Sequence, residues 1–177
     1  MRLALTLVAA LALAGCGERA ASSLPVLPKS AVPGLSATTE PVTLESLFAD
    51  FGTTQSNFEG RIRGFVRGSE RVFQGESSRF DRVVSRTLEF DDAEAAREYV
   101  DFYRSHLTNV YGPGTTARTL ESKGRSGYLV DAASCACHRA EPTLAGVVTK
   151  GNRVSYLEVN GGAARAPAVV ALLRQAP

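Results

Sequence analysis

The sequence contains no tryptophan, and its single methionine is the initiator. Met-rich metal sites and the indole platforms of many sugar-binding clefts are therefore excluded. Charge of one sign is not in excess: 20 Lys and Arg stand against 18 Asp and Glu. A dedicated nucleic-acid binder would be strongly basic. Catalytic motifs are absent too. Gly124-Arg125-Ser126-Gly127 lacks the Gly-x-Ser-x-Gly spacing of a nucleophile elbow. Gly112-Pro113-Gly114 is too short for a phosphate-cradling loop, and Pro113 removes a donor. There is no His-Glu-x-x-His and no EF-hand pattern. A non-enzymatic role without a cofactor is the expectation.

Long apolar runs are also missing, with one exception at the start. Arg2 supplies a positive charge, residues 3–13 are Leu, Ala and Val broken only by Thr6, and the small Ala14 and Gly15 precede Cys16. This is the anatomy of a secretory signal. The run is too short to span a bilayer, which takes roughly 20 residues. Leu13-Ala14-Gly15-Cys16 resembles the lipobox of bacterial lipoproteins. That resemblance implies removal of residues 1–15, diacylglycerol on the Cys16 sulfur, and often acylation of the new amino terminus. Stable anchoring takes two or more acyl chains. The expected location is the outer face of the cell membrane, with the membrane as a partner through the Cys16 lipid. An ordinary secretory signal cleaved elsewhere is the other reading.

Residues 16–41 form the lipidated cysteine and a predicted disordered tether. Pro25, Pro28, Pro33 and Pro41 are set among Ser, Thr, Ala and Gly without helix or strand period. Arginine greatly outnumbers lysine and alanine is abundant, as in a GC-rich genome such as that of an actinobacterium.

Residues 42–177 read as a single α+β domain: an antiparallel sheet packed by one long amphipathic helix and one or two short helices. Leu44, Leu47, Phe48 and Phe51 have helical spacing. Residues 61–66 and 71–73 read as strands around a turn at Gly68-Ser69-Glu70. Residues 81–90 form a stronger strand with Val84, Leu88 and Phe90 on one face; Arg86 falls on that face without explanation from the sequence. The best helix follows, capped by Asp91 with Glu94 three residues on. Its stripe is Ala93, Ala96, Val100, Tyr103, Leu107 and Val110, and Gly112-Pro113-Gly114 stops it. Strands are expected at 116–120 and 127–130. Residues 143–150 and 153–160 form a hairpin around Gly151-Asn152. Pro167 suits the first turn of a closing helix.

Cys137 just before His138-Arg139-Ala140, then Gly151-Asn152-Arg153-Val154 and a short terminal helix, resemble the extracytoplasmic sensor domains of actinobacterial serine/threonine kinases and related lipoproteins. The resemblance implies an extracytoplasmic sensor-type fold and names no ligand. Beyond the membrane, a protein or cell-wall polymer is the expected partner. The chain departs from it in carrying only the closely spaced Cys135 and Cys137, where wider cysteine pairs would be expected.

Cys135-Ala136-Cys137-His138 is the one cluster of soft ligands after Cys16. Three readings stand. Exported thiols oxidise, so Cys135 and Cys137 are disulfide or redox candidates. In a strand their Cα atoms would lie about 6.5–7 Å apart, so a bridge requires a bend. Two thiolates and an imidazole also suit zinc or copper, with Cys135, Cys137 and His138 as ligands and His106 or Asp131 completing the site. The third reading is packing alone. A thiol-redox or metal-handling lipoprotein is thus the alternative to a binding protein. His106 reads as an edge-of-core residue. Seven arginines between residues 61 and 86 are interleaved with acids and read as a solvated mixed-charge face, with anionic headgroups or wall polymers as the other partner.

Overall fold

The computed structural model describes residues 23–52, 62–75, 79–122, 124–132 and 142–177. It is an α+β fold built on one seven-stranded antiparallel sheet. The strands are β1 (Ser36–Val42), β2 (Phe65–Gln74), β3 (Arg82–Phe90), β4 (Thr116–Ser122), β5 (Arg125–Asp131), β6 (Thr143–Lys150) and β7 (Arg153–Asn160). The helices are α1 (Leu44–Asp50), α2 (Ala93–Ser105), α3 (Leu107–Tyr111) and α4 (Ala166–Leu173). The sheet order is β1-β2-β3-β7-β6-β5-β4, so two meanders meet where β3 pairs with β7. The β6–β7 hairpin forms around Gly151-Asn152 as expected, with Gly151 at φ 59°. Asn152 also donates to the Phe90 carbonyl at 2.8 Å, which ties this turn to the end of β3.

Both faces of the sheet are covered. On one, α2 lays Ala96, Tyr99, Val100 and Tyr103 over Val84, Leu88, Val147 and Tyr156. On the other, α4 lays Val169, Leu172 and Leu173 over Leu144, Val148, Leu157 and Val159. β6 and β7 are therefore buried along nearly their whole length, and both are rich in apolar residues.

The second face has another cover, and here the tether expected through Pro41 is corrected. Residues 36–42 are strand β1, paired along its length with β2. Leu24, Val26, Leu27 and Val32 are buried. Leu24 N donates to Ser69 Oγ at 2.8 Å, Leu27 N to Ser85 Oγ at 3.1 Å, and Thr87 Oγ1 to the Pro25 carbonyl at 2.8 Å. The prolines suit this segment because it lies on the sheet by side-chain hydrogen bonds and needs no backbone ladder. Residues 1–22, which include the leader and Cys16, lie outside the described residues.

Three local expectations are also revised. β2 runs straight through Gly68-Ser69-Glu70. A Cβ on Gly68 would come within 2.7 Å of Val42 Cβ and 2.8 Å of Leu88 Cδ2, so glycine relieves cross-strand crowding there and makes no turn. The cap of α2 is Asp92, not Asp91; its Oδ1 accepts from Glu94 N and Ala95 N at 2.8 Å. The long helix ends at His106, and α3 continues the stripe. Ser105 Oγ and His106 Nδ1 both lie 2.8 Å from the Phe102 carbonyl, so side chains compete for it and interrupt the helical ladder.

Candidate ligand cleft

The residues expected to carry chemistry do not gather in one place. Cys16, Cys135, Cys137 and His138 lie outside the described residues. His106 is at the C-terminal end of α2, stacked on Phe102 with ring centroids 3.9 Å apart. Its position at the edge of the helix-face core matches the reading from sequence. Asp131 ends β5 beside Thr116. Among the described residues, no group of three or more His, Cys, Asp or Glu is placed to hold a metal ion.

A different constellation occupies the helix-covered face. Alternation on β3 puts Arg82, Val84 and Arg86 on one face; on β7 it puts Tyr156 and Glu158 beside them, since Arg86 pairs with Tyr156 and Val84 with Glu158. Asp50, at the end of α1, reaches this face from above. Tyr99 and Tyr103 of α2 and Val110 of α3 close the far wall. Between them opens a cleft of about 210 Å³.

Two polar networks line it. In the first, Arg86 donates from Nε to Glu70 Oε2 at 2.6 Å and from Nη1 to Asp50 Oδ2. Burial opposes the Arg86 charge, but the attraction and hydrogen bond of Asp50, and then Glu70, outweigh it and raise its pKa. Arg86 is therefore a fixed cation that fastens α1 and β2 to β3. In the second, the Tyr103 and Tyr111 hydroxyls are 2.8 Å apart, and those of Tyr111 and Tyr156 2.7 Å apart. Tyr156 donates to Glu158 Oε2 at 2.7 Å, and Tyr111 donates to the same oxygen at 3.2 Å. Arg82 Nη1 donates to Glu158 Oε1 at 3.3 Å. Burial raises the pKa of Tyr99, Tyr103, Tyr111 and Tyr156, so all four hydroxyls stay protonated at neutral pH.

These residues escaped the sequence reading, with two signals left unused. Arg86 on an apolar strand face was such a signal, and Glu158 between Tyr156 and Asn160 in a buried strand is a second. A buried charge at strand period requires a partner. Neither Asp50, 36 residues away, nor Tyr111, 47 residues away, could be named from the chain alone.

No family model matches the chain, and no curated protein matches it. Among solved structures, the crystal structure of the extracellular domain of PknH from Mycobacterium tuberculosis is similar, with 10% sequence identity, coverage of 79% of each chain and a TM-score of 0.48.

Proposed function

We propose that this chain is a membrane-anchored extracytoplasmic lipoprotein whose domain is a non-enzymatic binding or sensor-type module, and that its ligand enters the cleft above Arg86. The leader and the Leu13-Ala14-Gly15-Cys16 motif support export and anchoring. The observation that carries the binding role is the make-up of the cleft: an open, polar concavity walled by aromatics, with fixed charges of both signs at its base. Among the described residues, its lining includes no Ser, Cys or His. The tyrosines are held protonated, and Arg86 is held charged.

The chemistry of the walls selects the ligand class. Arg82 is about half exposed, with side-chain accessibility of 45%, so it can offer donors to an acceptor group. Asp50, also partly exposed, can accept from a hydroxyl or ammonium. Cations and carboxylates nearly cancel, so a zwitterionic or neutral polar ligand fits better than a multiply charged anion. The volume lies below the roughly 300–1,000 Å³ of sites for drug-sized ligands. The ligand is compact, or it inserts one end.

The test is a thermal-shift screen of the processed chain against amino acids, amino sugars and short wall-type peptides. Saturation at about 100 times Kd stabilises by about 2.7 kcal/mol, which raises Tm by about 5–10 °C for a domain of this size. Arg82→Gln and Val110→Phe should each abolish the shift. A shift that survives both variants, or no shift across the panel, would overturn the cleft as the binding site.

A further inference from the structure

A second recess lies on the opposite face, under the last turn of α4. Arg125, Lys150 and Arg174 surround a small apolar floor that includes Leu120, Val148 and Leu173. Its volume is about 100 Å³. That is well under a whole-ligand site, and suits a single charged group. Arg125 donates to the Leu173 and Ala176 carbonyls at 2.9 and 2.8 Å, which fixes one cation in place and caps the helix. Among the described residues, none of the three cations has a carboxylate partner.

The path of the chain puts this recess near the anchor. Leu24 is held on Ser69; Ser69 faces Thr87, Thr87 faces Ser155, and Ser155 faces Val148. Leu24 and Val148 therefore share one face and one level of the sheet, three strand spacings or about 14 Å apart. Lys150 lies two residues further toward the hairpin turn, on the same face. Cys16 precedes Leu24 by eight residues. Even fully extended, those residues reach at most about 29 Å. A lipid on Cys16 thus keeps Leu24, on this face, within that reach of the bilayer. The acidic first turn of α2, with Asp92 and Glu94, belongs to the other face and is turned away.

We infer that Arg125, Lys150 and Arg174 form a docking patch for the phosphates of anionic lipid headgroups, which seats the domain on the membrane with the Arg86 cleft facing outward. The inference rests on the lipid anchor proposed above. A basic residue at an anionic surface contributes roughly a fivefold factor in affinity, and the tether adds a high effective concentration.

The experiment reconstitutes the native lipidated chain in vesicles of phosphatidylcholine, with and without 30 mol% phosphatidylglycerol. The intact mass at Cys16 is read from the same sample. Backbone amide exchange around Lys150 and at the end of α4 should slow at least fivefold on the anionic vesicles. Lys150→Gln and Arg174→Gln should each remove about fivefold of that protection, while Arg97→Gln and Arg104→Gln, on α2 of the other face, leave it unchanged. Equal exchange on both vesicle types, or equal loss from the control variants, overturns the patch and leaves the anchor intact. A chain without lipid on Cys16 overturns the anchor itself, and the patch with it.

Discussion

Arg86 and Tyr156 face each other across β3 and β7, and the guanidinium lies 5.4 Å above the tyrosine ring. This contact joins the two networks of the cleft. On one side Arg86 gathers Asp50 from α1 and Glu70 from β2. On the other, Tyr156 leads through Tyr111 and Tyr103 into the helices. A single stacked cation thus ties α1, β2, β3, β7 and α2 together around the cleft floor.

Removing that cation should be costly. Arg86→Met leaves Asp50 and Glu70 facing each other without their partner. Breaking a buried pair from one side costs about 3–5 kcal/mol, and the partial exposure of Asp50 and Glu70 places this case near about 3 kcal/mol. Urea unfolding of the two proteins checks it. A change under about 1 kcal/mol would mean that Arg86 is not structural.

The tyrosine chain should behave as a unit. Tyr156→Phe removes a donor to the buried Glu158 carboxylate, and hydrogen bonds to charged groups contribute about 1.5–3 kcal/mol. Tyr103→Phe, one step removed, should cost about 1 kcal/mol. The Tyr103→Phe/Tyr111→Phe double variant should cost less than the sum of its single changes, because the Tyr103 hydroxyl reaches Glu158 through Tyr111. Strict additivity in a double-mutant cycle would contradict the chain.

The amino-terminal segment should be part of the fold. Leu27 is fully buried, so Leu27→Ala should cost about 2–5 kcal/mol. A disordered tether would tolerate the change without effect, so denaturant midpoints separate the two pictures.

Glu89 supplies a pH signature. The hydrogen bonds of Arg67 and then Arg153 lower its pKa below the ordinary carboxylate value. A depressed carboxylate contributes stability above its unfolded pKa of about 4.3, and loses it as pH falls through the folded value. The stability difference between the native chain and Glu89→Gln should therefore be constant from pH 7 to about 5 and shrink below about 4. A difference that grows on acidification would refute this sign.

Much of the fold was legible because it rests on local signals. The β6–β7 hairpin follows from Gly151-Asn152 between apolar runs, and α2 from its three- and four-residue stripe. The break at His106 was hidden, because competition for the Phe102 carbonyl depends on rotamers. Residues 23–41 misread as tether because Leu24, Val26, Leu27 and Val32 have no period. Their burial depends on Ser69, Ser85 and Thr87, more than 40 residues away. The cleft was half legible. Arg86 stood out as a charge on an apolar face, but its partners come from other elements.

The intact mass of the chain purified from its own membranes tests the account most directly. The expected result is an amino terminus at Cys16 that carries diacylglycerol, with release of the chain from membranes by Cys16→Ser. A chain that begins elsewhere, or an unmodified Cys16 in a membrane-free protein, would contradict it.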